Sequence, residues 1–391
     1  MKLNLILLSS VAMMASAGAQ TVIDIVGSTA GRGAVNAQIL ALLPGATYRF
    51  DGPTPSNSAR VIYRGVNSSI TYIIRTYWQG SVDGVREIAQ QRQQISTTNP
   101  AVGNFYNLSV ASAPMSNTAL AFATNEAATP TTTVVDSDDT TADDLRPEIG
   151  FSDVFQTSTS FKSPVLAVED EVGIIPFQWF KSDLPAQNPA FDNMTTQAAR
   201  ALYADIAELP LHFFTQNTAD TSLVYCTGRA NNSGTRITAL AESAIGINTT
   251  ISQYGNAATD ALDVLFLGNV TASPLGHGSG SGVAGALRGR LASGESLVGY
   301  LGAADWSSAT GGGAVALKYN GVPYSEANVQ NGSYTFWGYL HQNRMTLTGN
   351  SLAFYNLLQN GLDLNPGTGI ILDNAAMLVK RSSDGSRVIL R

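Results

Sequence analysis

Leu223-Val-Tyr-Cys-Thr-Gly-Arg229-Ala-Asn-Asn-Ser233-Gly234-Thr235-Arg236, continuing into Ile237-Thr-Ala-Leu240-Ala241-Glu-Ser-Ala244-Ile245, decides how the chain is read. Its first residues have the composition of a short buried strand. Ile237, Leu240, Ala241, Ala244 and Ile245 then recur at the spacing of one helix face. The loop between them therefore ends at a helix start, with Ser233 as the candidate N-cap. Arg236 stands where a capping box needs Glu or Gln, so no side chain reaches back to the loop. The first backbone N–H groups of that helix are left without acceptors at the positive end of its dipole, on a loop that Gly234 opens to close approach. Arg229 adds a planar, permanently charged fork matched to two oxygens of one anion. The same residues also fit an ordinary turn before a helix.

Working outward, 391 residues are too many for one small core and fit two lobes or two domains. A net charge of −7 argues against a nucleic-acid partner held by a basic surface, while a local anion site remains compatible with an acidic protein. Residues 1–19 combine Lys2, an apolar run from Leu3 to Met14, and small residues at Ala15, Ala17 and Ala19. That is the pattern of a secretory signal cleaved near Ala19. No later stretch reaches about 18 uninterrupted apolar residues, so no membrane insertion of the mature chain is expected. Cys226 is the single cysteine, which leaves no internal disulfide and no N-terminal cysteine for a lipid anchor; on its strand it reads as a small buried apolar residue. The expected location is periplasmic or extracellular.

Two further strand-to-helix turns repeat the logic of the opening stretch. Val22 to Gly27 reads as a strand, followed by Ser28-Thr29-Ala-Gly31-Arg-Gly33 and a helical pattern through Val35, Ile39, Leu42 and Leu43. Thr71 to Tyr77 reads as another strand, followed by Gly80-Ser81-Val-Asp-Gly84, with Ser81 at the N-cap, and a helix marked by Val85, Ile88, Ala89 and Ile95. The first of these on its own also fits a tight connection between strand and helix. Residues 97–146 shift to Thr, Ala, Ser, Asn and Asp, which reads as a long polar surface excursion; its Asp136-Ser-Asp-Asp run lacks the glycine and terminal glutamate of a hand-type calcium loop. Asp153, after Phe151-Ser152, fits either a turn or cap aspartate or a ligand-facing acid.

The motif Arg-x-x-x-Ser-Gly-Thr after a strand and opening a helix resembles the phosphate-binding loop of periplasmic phosphate-binding proteins, the substrate-binding subunits of phosphate ABC importers. The resemblance extends in order over most of the mature chain, although only Arg229–Thr235 is itself specific. Ser28 and Thr29 match the family's first ligand loop, without its usual aromatic residue. Gly80-Ser81-Val-Asp-Gly84 matches its Gly-Ser-x-x-Gly turn, with Asn67-Ser68-Ser69 as a rival that precedes a strand. Asp153 matches the aspartate that accepts a ligand proton, which phosphate carries near neutral pH and sulfate does not. Gly276–Gly285, the Gly299-Tyr300 strand and Leu317–Phe336 also resemble family segments in order, whereas the 97–146 stretch is longer than usual.

The resemblance implies an α/β, two-lobed periplasmic-binding-protein-like fold of type II: two mixed sheets flanked by helices and joined by a two-strand hinge. The expected division is a signal at 1–19, lobe 1 at 20–171 and 318–391, including the polar insertion, and lobe 2 at 172–317. The implied function is capture of phosphate or a similar oxyanion in an interlobe cleft for ABC-type uptake through a permease. The ligand set is Ser28, Thr29, Ser81, Asp153, Arg229, Ser233, Gly234 and Thr235. The alternative is a secreted surface or matrix protein that keeps the fold without ligand transport, which the polar insertion and atypical first loop favour.

An enzyme, a cofactor and a metal site are not expected. His212, His277 and His341 fall in separate segments, and there is no His-Glu-x-x-His, Gly-x-Ser-x-Gly or Gly-Lys-Ser/Thr pattern. His277 beside Ser279 is too close along the chain to make a base and nucleophile from separate elements. Gly280 to Gly285 spells Gly-x-Gly-x-x-Gly, with Asp305 about 20 residues on as in dinucleotide sites. The strand-like Leu262–Leu267, however, ends too far upstream for that one-turn connection.

Overall fold

The computed structural model describes residues 20–91, 105–106, 108–112, 115–120, 147–182, 189–206, 208–255, 271–272, 276–288, 296–364 and 372–391. The signal reading at 1–19, much of the 97–146 excursion and the strand-like Leu262–Leu267 lie outside the described residues.

The first half of the chain forms β1 (Gln20–Gly27), α1 (Arg32–Leu42), β2 (Thr47–Phe50), β3 (Arg60–Asn67), β4 (Ile70–Tyr77) and α2 (Ser81–Gln90). After these come α3 (Leu108–Ser112), β5 (Thr118–Ala119) and β6 (Ile149–Ser152). β1 runs parallel to both β4 and β6, so β1, β4 and β6 end at the same edge of the sheet and deliver their following loops to one place. Ile23, Ile25, Ile74 and Ile149 on these strands pack with Ala34, Val35 and Ile39 of α1. The polar excursion is not wholly superficial: Phe105 and Tyr106 are buried, Tyr106 O accepts from Arg75, and β5 extends the sheet edge beside β2.

β7 (Val168–Lys181) leads into β8 (Asn193–Met194), α4 (Thr196–Ala201), β9 (Glu208–Pro210), α5 (His212–Thr215), β10 (Leu223–Cys226) and α6 (Gly234–Glu242). Next are β11 (Tyr254–Gly255), β12 (Thr271–Ala272), α7 (Gly280–Arg288), β13 (Ser296–Gly302), α8 (Trp306–Thr310), β14 (Val315–Ala316), β15 (Lys318–Tyr319) and α9 (Glu326–Gln330). β16 (Trp337–Arg344), α10 (Gly349–Leu364), β17 (Val379–Lys380) and β18 (Ile389–Leu390) complete the chain.

The strands form one mixed path, β5-β2-β3-β4-β1-β6-β16-β7-β13-β10-β9, with β14 also on β7. Its two halves are the sheets of two α/β lobes, and β7 belongs to both. From Val168 to Pro176 it pairs antiparallel with β16, and from Phe177 to Lys181 with β13. Proline has no N–H for a ladder, and Pro176 stands at the residue where β7 changes partner. The returning strand meets it there: Phe177 N donates to Phe336 O (2.9 Å) and Tyr334 Oη to Phe177 O (2.7 Å). Trp179 stacks on Phe336 and meets Tyr300 edge-on, so the join is filled by large buried rings rather than by a loose linker.

The helix α7 starts at Gly280, within the glycine-rich run. Gly280, Gly282 and Gly285 are all buried, and Ser279 Oγ accepts from Gly282 N (3.2 Å), a local cap that compensates for poor glycine propensity.

Candidate functional site

β1 ends at Gly27 with φ +137°, and a Cβ there would overlap Phe151 O, so glycine is required for the chain to pass β6 and turn into α1. Ser28 N then donates to Phe151 O (2.9 Å), and Ser28 Oγ accepts from Ala30 N (3.1 Å). Gly80 N donates to Gly27 O (3.0 Å), which sets the start of α2 beside this turn. The N-cap of α2 is Gly80, fully extended and with no side-chain cap, whereas the sequence reading put Ser81 there. A Cβ at Gly80 would meet Asn232 O at 2.8 Å, so the other lobe occupies the space a capping side chain needs. Ser81 becomes the first helical residue.

In the second lobe Ser233 does cap α6, its Oγ accepting from Arg236 N (3.3 Å). Gly234 and Thr235 are the first helical residues, whose N–H groups have no intrahelical acceptor. The lobes touch at this point. Val82 N donates to Asn232 O (3.2 Å), Asn232 Nδ2 to Asp83 Oδ2 (2.8 Å), and Thr235 Oγ1 to Asp153 Oδ2 (3.5 Å). A Cβ on Gly234 would overlap Asp153 Oδ1 and lie 2.6 Å from Ser81 Oγ. The ends of β1 and β6 and the starts of α2 and α6 thus meet within a few ångströms.

Asp153 is the chemical centre of this meeting point. It is 1% exposed, and its Oδ1 has no hydrogen-bond partner among the described residues. Burial pushes its carboxyl up to about 6, against the pull of a backbone hydrogen bond, the Arg229 charge, and hydroxyl hydrogen bonds from Ser28 and Thr235. An acid held near its titration point can accept a hydrogen bond as a carboxylate or donate one as a carboxylic acid.

Arg229 is buried and held by the glycine-rich loop. Its Nε donates to His277 O (3.3 Å) and its Nη2 to Gly278 O (2.9 Å), and Ala230 N also donates to His277 O (2.8 Å). The run at Gly276–Gly285 therefore positions the arginine and then opens α7. His277 Nε2 lies 3.1 Å from Thr227 Oγ1, and Ser279 Oγ lies 2.8 Å from Ser281 Oγ.

Seven of the eight sequence-derived ligand residues cluster here: Ser28, Ser81, Asp153, Arg229, Ser233, Gly234 and Thr235. Ser233 contributes as a cap, with its hydroxyl turned into its own helix. Thr29 is half-buried in the turn before α1 and makes no side-chain hydrogen bond among the described residues. Two charged residues absent from that set face the same groups. Arg32, the first residue of α1, has its guanidinium lowered by burial, with Asp305 and Asp51 raising it and Arg229 lowering it. Asp305, just after β13, is raised by burial against the charges of Arg229 and Arg32. An arginine at a helix's first position, where the dipole disfavours a cation, was the available sequence signal for Arg32. Asp305 had none beyond its type.

The set offers several donors at two helix starts, hydroxyls, two guanidinium groups and two acids raised by burial, Asp153 and Asp305. That combination suits a small oxyanion that carries a proton. Groups of three or more His, Cys, Asp or Glu placed to hold a metal are absent among the described residues. No described helix is long and apolar enough to cross a membrane.

No family model matches the sequence, and no curated protein matches it. Solved structures do. The chain is similar to a phosphate ABC transporter substrate-binding protein with bound phosphate from Clostridium perfringens, at 14% identity and a TM-score of 0.47 over 88% of this chain and 96% of that one. It is similar to a protein described as a possible phosphate binding protein from Planctomyces limnophilus, at 13% identity and a TM-score of 0.42, over 88% of each chain. PstS from Borrelia burgdorferi gives 11% identity and a TM-score of 0.39, over 88% of this chain and 92% of that one. Fold likeness does not carry function with it.

Proposed function

We propose that this chain is a secreted solute-binding protein that captures phosphate, or a close protonated oxyanion, at the seam between its two lobes, for ABC-type uptake. The carrying observation is Asp153: a buried carboxyl with an unpartnered oxygen, beside two helix starts and within the field of Arg229. A carboxylate repels a fully ionised anion, so this acid is useful in an anion site only if the ligand or the acid itself brings a proton. Phosphate does so near neutral pH and sulfate does not. The amides of Gly234 and Thr235, the hydroxyls of Ser28 and Ser81 and the fork of Arg229 would take the other oxygens.

In this reading the donors and the acid would hold the ligand for delivery without chemical turnover. The pattern of residues 1–19 supports secretion, and delivery to a permease completes the proposal. Thr29 remains part of the proposed ligand loop through its backbone. Calorimetry of the protein lacking 1–19 with phosphate, sulfate and molybdate tests it. Tight phosphate binding, abolished in Arg229→Ala, is expected; no heat with any of the three would overturn it and leave the surface-protein reading.

A further inference from the structure

The groups that the sequence motif does not account for at the seam are Arg32 and Asp305, and they come from opposite lobes. Arg32 opens α1, two residues after Ala30. Asp305 closes the turn Ala303–Asp305 that follows Gly302. These two stretches abut: a Cβ built on Gly302 would lie 3.8 Å from the Ala30 Cβ, an ordinary van der Waals contact across the interlobe boundary. Asp305 also reaches the start of α7, since a Cβ on Gly280 would overlap its Oδ2. The Asp305 carboxylate therefore packs directly against the start of α7.

Arg32 is brought into the field of Arg229, a like charge, while its Nε is buried and has no hydrogen-bond partner among the described residues. Two guanidinium groups from facing lobes that lie in each other's field, in a region of low dielectric, repel unless an anion offsets them. Asp305 supplies one negative charge to the pair and Asp51 another, more remote, already bonded to Arg60. Asp305 lies in the field of both arginines, so it is shared rather than dedicated to either.

We infer that Arg32 is a second anion-binding arginine, contributed by the lobe opposite Arg229, and that Asp305 is the resident counter-ion that sets how much ligand charge the site accepts. The inference rests on the oxyanion reading of the site and names its charge specificity. Arg32 donates to an oxygen that faces away from Arg229, so the ligand ties α1 to the second lobe. With Asp305 ionised, one of the two arginine charges is offset. The site then favours a protonated, less charged oxyanion over a fully ionised one, independently of the proton test at Asp153. The ligand class is a free tetrahedral oxyanion small enough to sit between both guanidinium groups.

The test is calorimetric titration of the mature protein, its Arg32→Gln and Arg32→Lys variants and its Asp305→Asn variant with inorganic phosphate and with sulfate. Circular dichroism melts of each unliganded variant verify folding. Loss of one charge-assisted hydrogen bond in Arg32→Gln is expected to weaken phosphate by about 10- to 100-fold, with partial recovery in Arg32→Lys. Asp305→Asn is expected to bind sulfate at least about tenfold more tightly than the wild type does, narrowing the phosphate preference. Wild-type phosphate affinity in Arg32→Gln, to within about twofold, overturns the role of Arg32. An unchanged phosphate-to-sulfate ratio in Asp305→Asn overturns the role of Asp305. Silence of the wild type toward both anions would instead refute the oxyanion reading beneath them.

Discussion

Gly234→Ala adds a single methyl group, and the structure says where it goes. The new Cβ would overlap Asp153 Oδ1 and lie 2.6 Å from Ser81 Oγ. Gly234 has ordinary helical geometry at the first position of α6, so alanine brings no backbone strain there and gains up to about 1 kcal/mol in helix propensity. Against that stands an overpacking cost of about 1–3 kcal/mol, because the Asp153 carboxyl is 1% exposed and must rotate or shift. The net change in unliganded stability is therefore small, about 0–2 kcal/mol of destabilisation. Binding should suffer far more. The methyl group intrudes where Asp153 and Ser81 would meet the ligand, and losing two hydrogen bonds to a charged group, each worth about 1.5–3 kcal/mol, weakens phosphate by roughly 10²- to 10⁴-fold. Urea unfolding of the unliganded variant and calorimetry with phosphate separate the two effects. Affinity within about threefold of wild type would show that the point where Asp153, Ser81 and Gly234 converge is not where the anion sits.

Three other perturbations probe the acids and the tail around this point. Asp153→Asn keeps the volume of the side chain but ends its proton exchange, so phosphate's preference over sulfate should shrink at least about tenfold in paired titrations. Burial raises Asp384 to about 7 while Ser158, the Phe155 amide and Arg381 lower it, so its native state holds a proton that the unfolded chain releases near 3.8. Its contribution is full below about 4 and is lost as pH rises through about 7, so Asp384→Asn should flatten the pH dependence of the melting temperature across that window. Glu242→Ala leaves Arg381, buried over Trp337 at 4.2 Å, without the carboxylate that meets it at 3.1 Å, and should lower the free energy of unfolding in urea by about 3–5 kcal/mol.

What could be read in the linear sequence was whatever a few neighbouring residues settle among themselves. The strand Leu223–Cys226, the loop through Arg229 and the cap at Ser233 are local features, and the helix that follows shows in its own apolar spacing. The residues of β7 from Val172 to Trp179 form an apolar run in the sequence, but the change of partner at Pro176 shows only in the strand pairing. Ser81 was misplaced by one position because the residue that excludes a capping side chain, Asn232, belongs to the other lobe and lies far along the chain. The burial of Phe105 and Tyr106 within a polar stretch was hidden for the same kind of reason: Tyr106 O serves the buried Arg75, itself paired with Asp24 at 2.6 Å, and composition cannot show that demand.

Arg32 and Asp305 carry this point furthest. Taken singly, one is a surface-type residue after a glycine and the other a turn aspartate; they acquire meaning only when the folded chain brings both into the field of Arg229. A chain of net charge −7 attracts anions poorly at long range, so the proposed selectivity would have to be built from short-range groups that come together only in the folded state. Residues that recognise an anion through backbone N–H groups must lie at helix starts and leave a local signature. Residues that tune its charge act through space from any element, so their place in the site follows from the packing of the two lobes across β7 and β16.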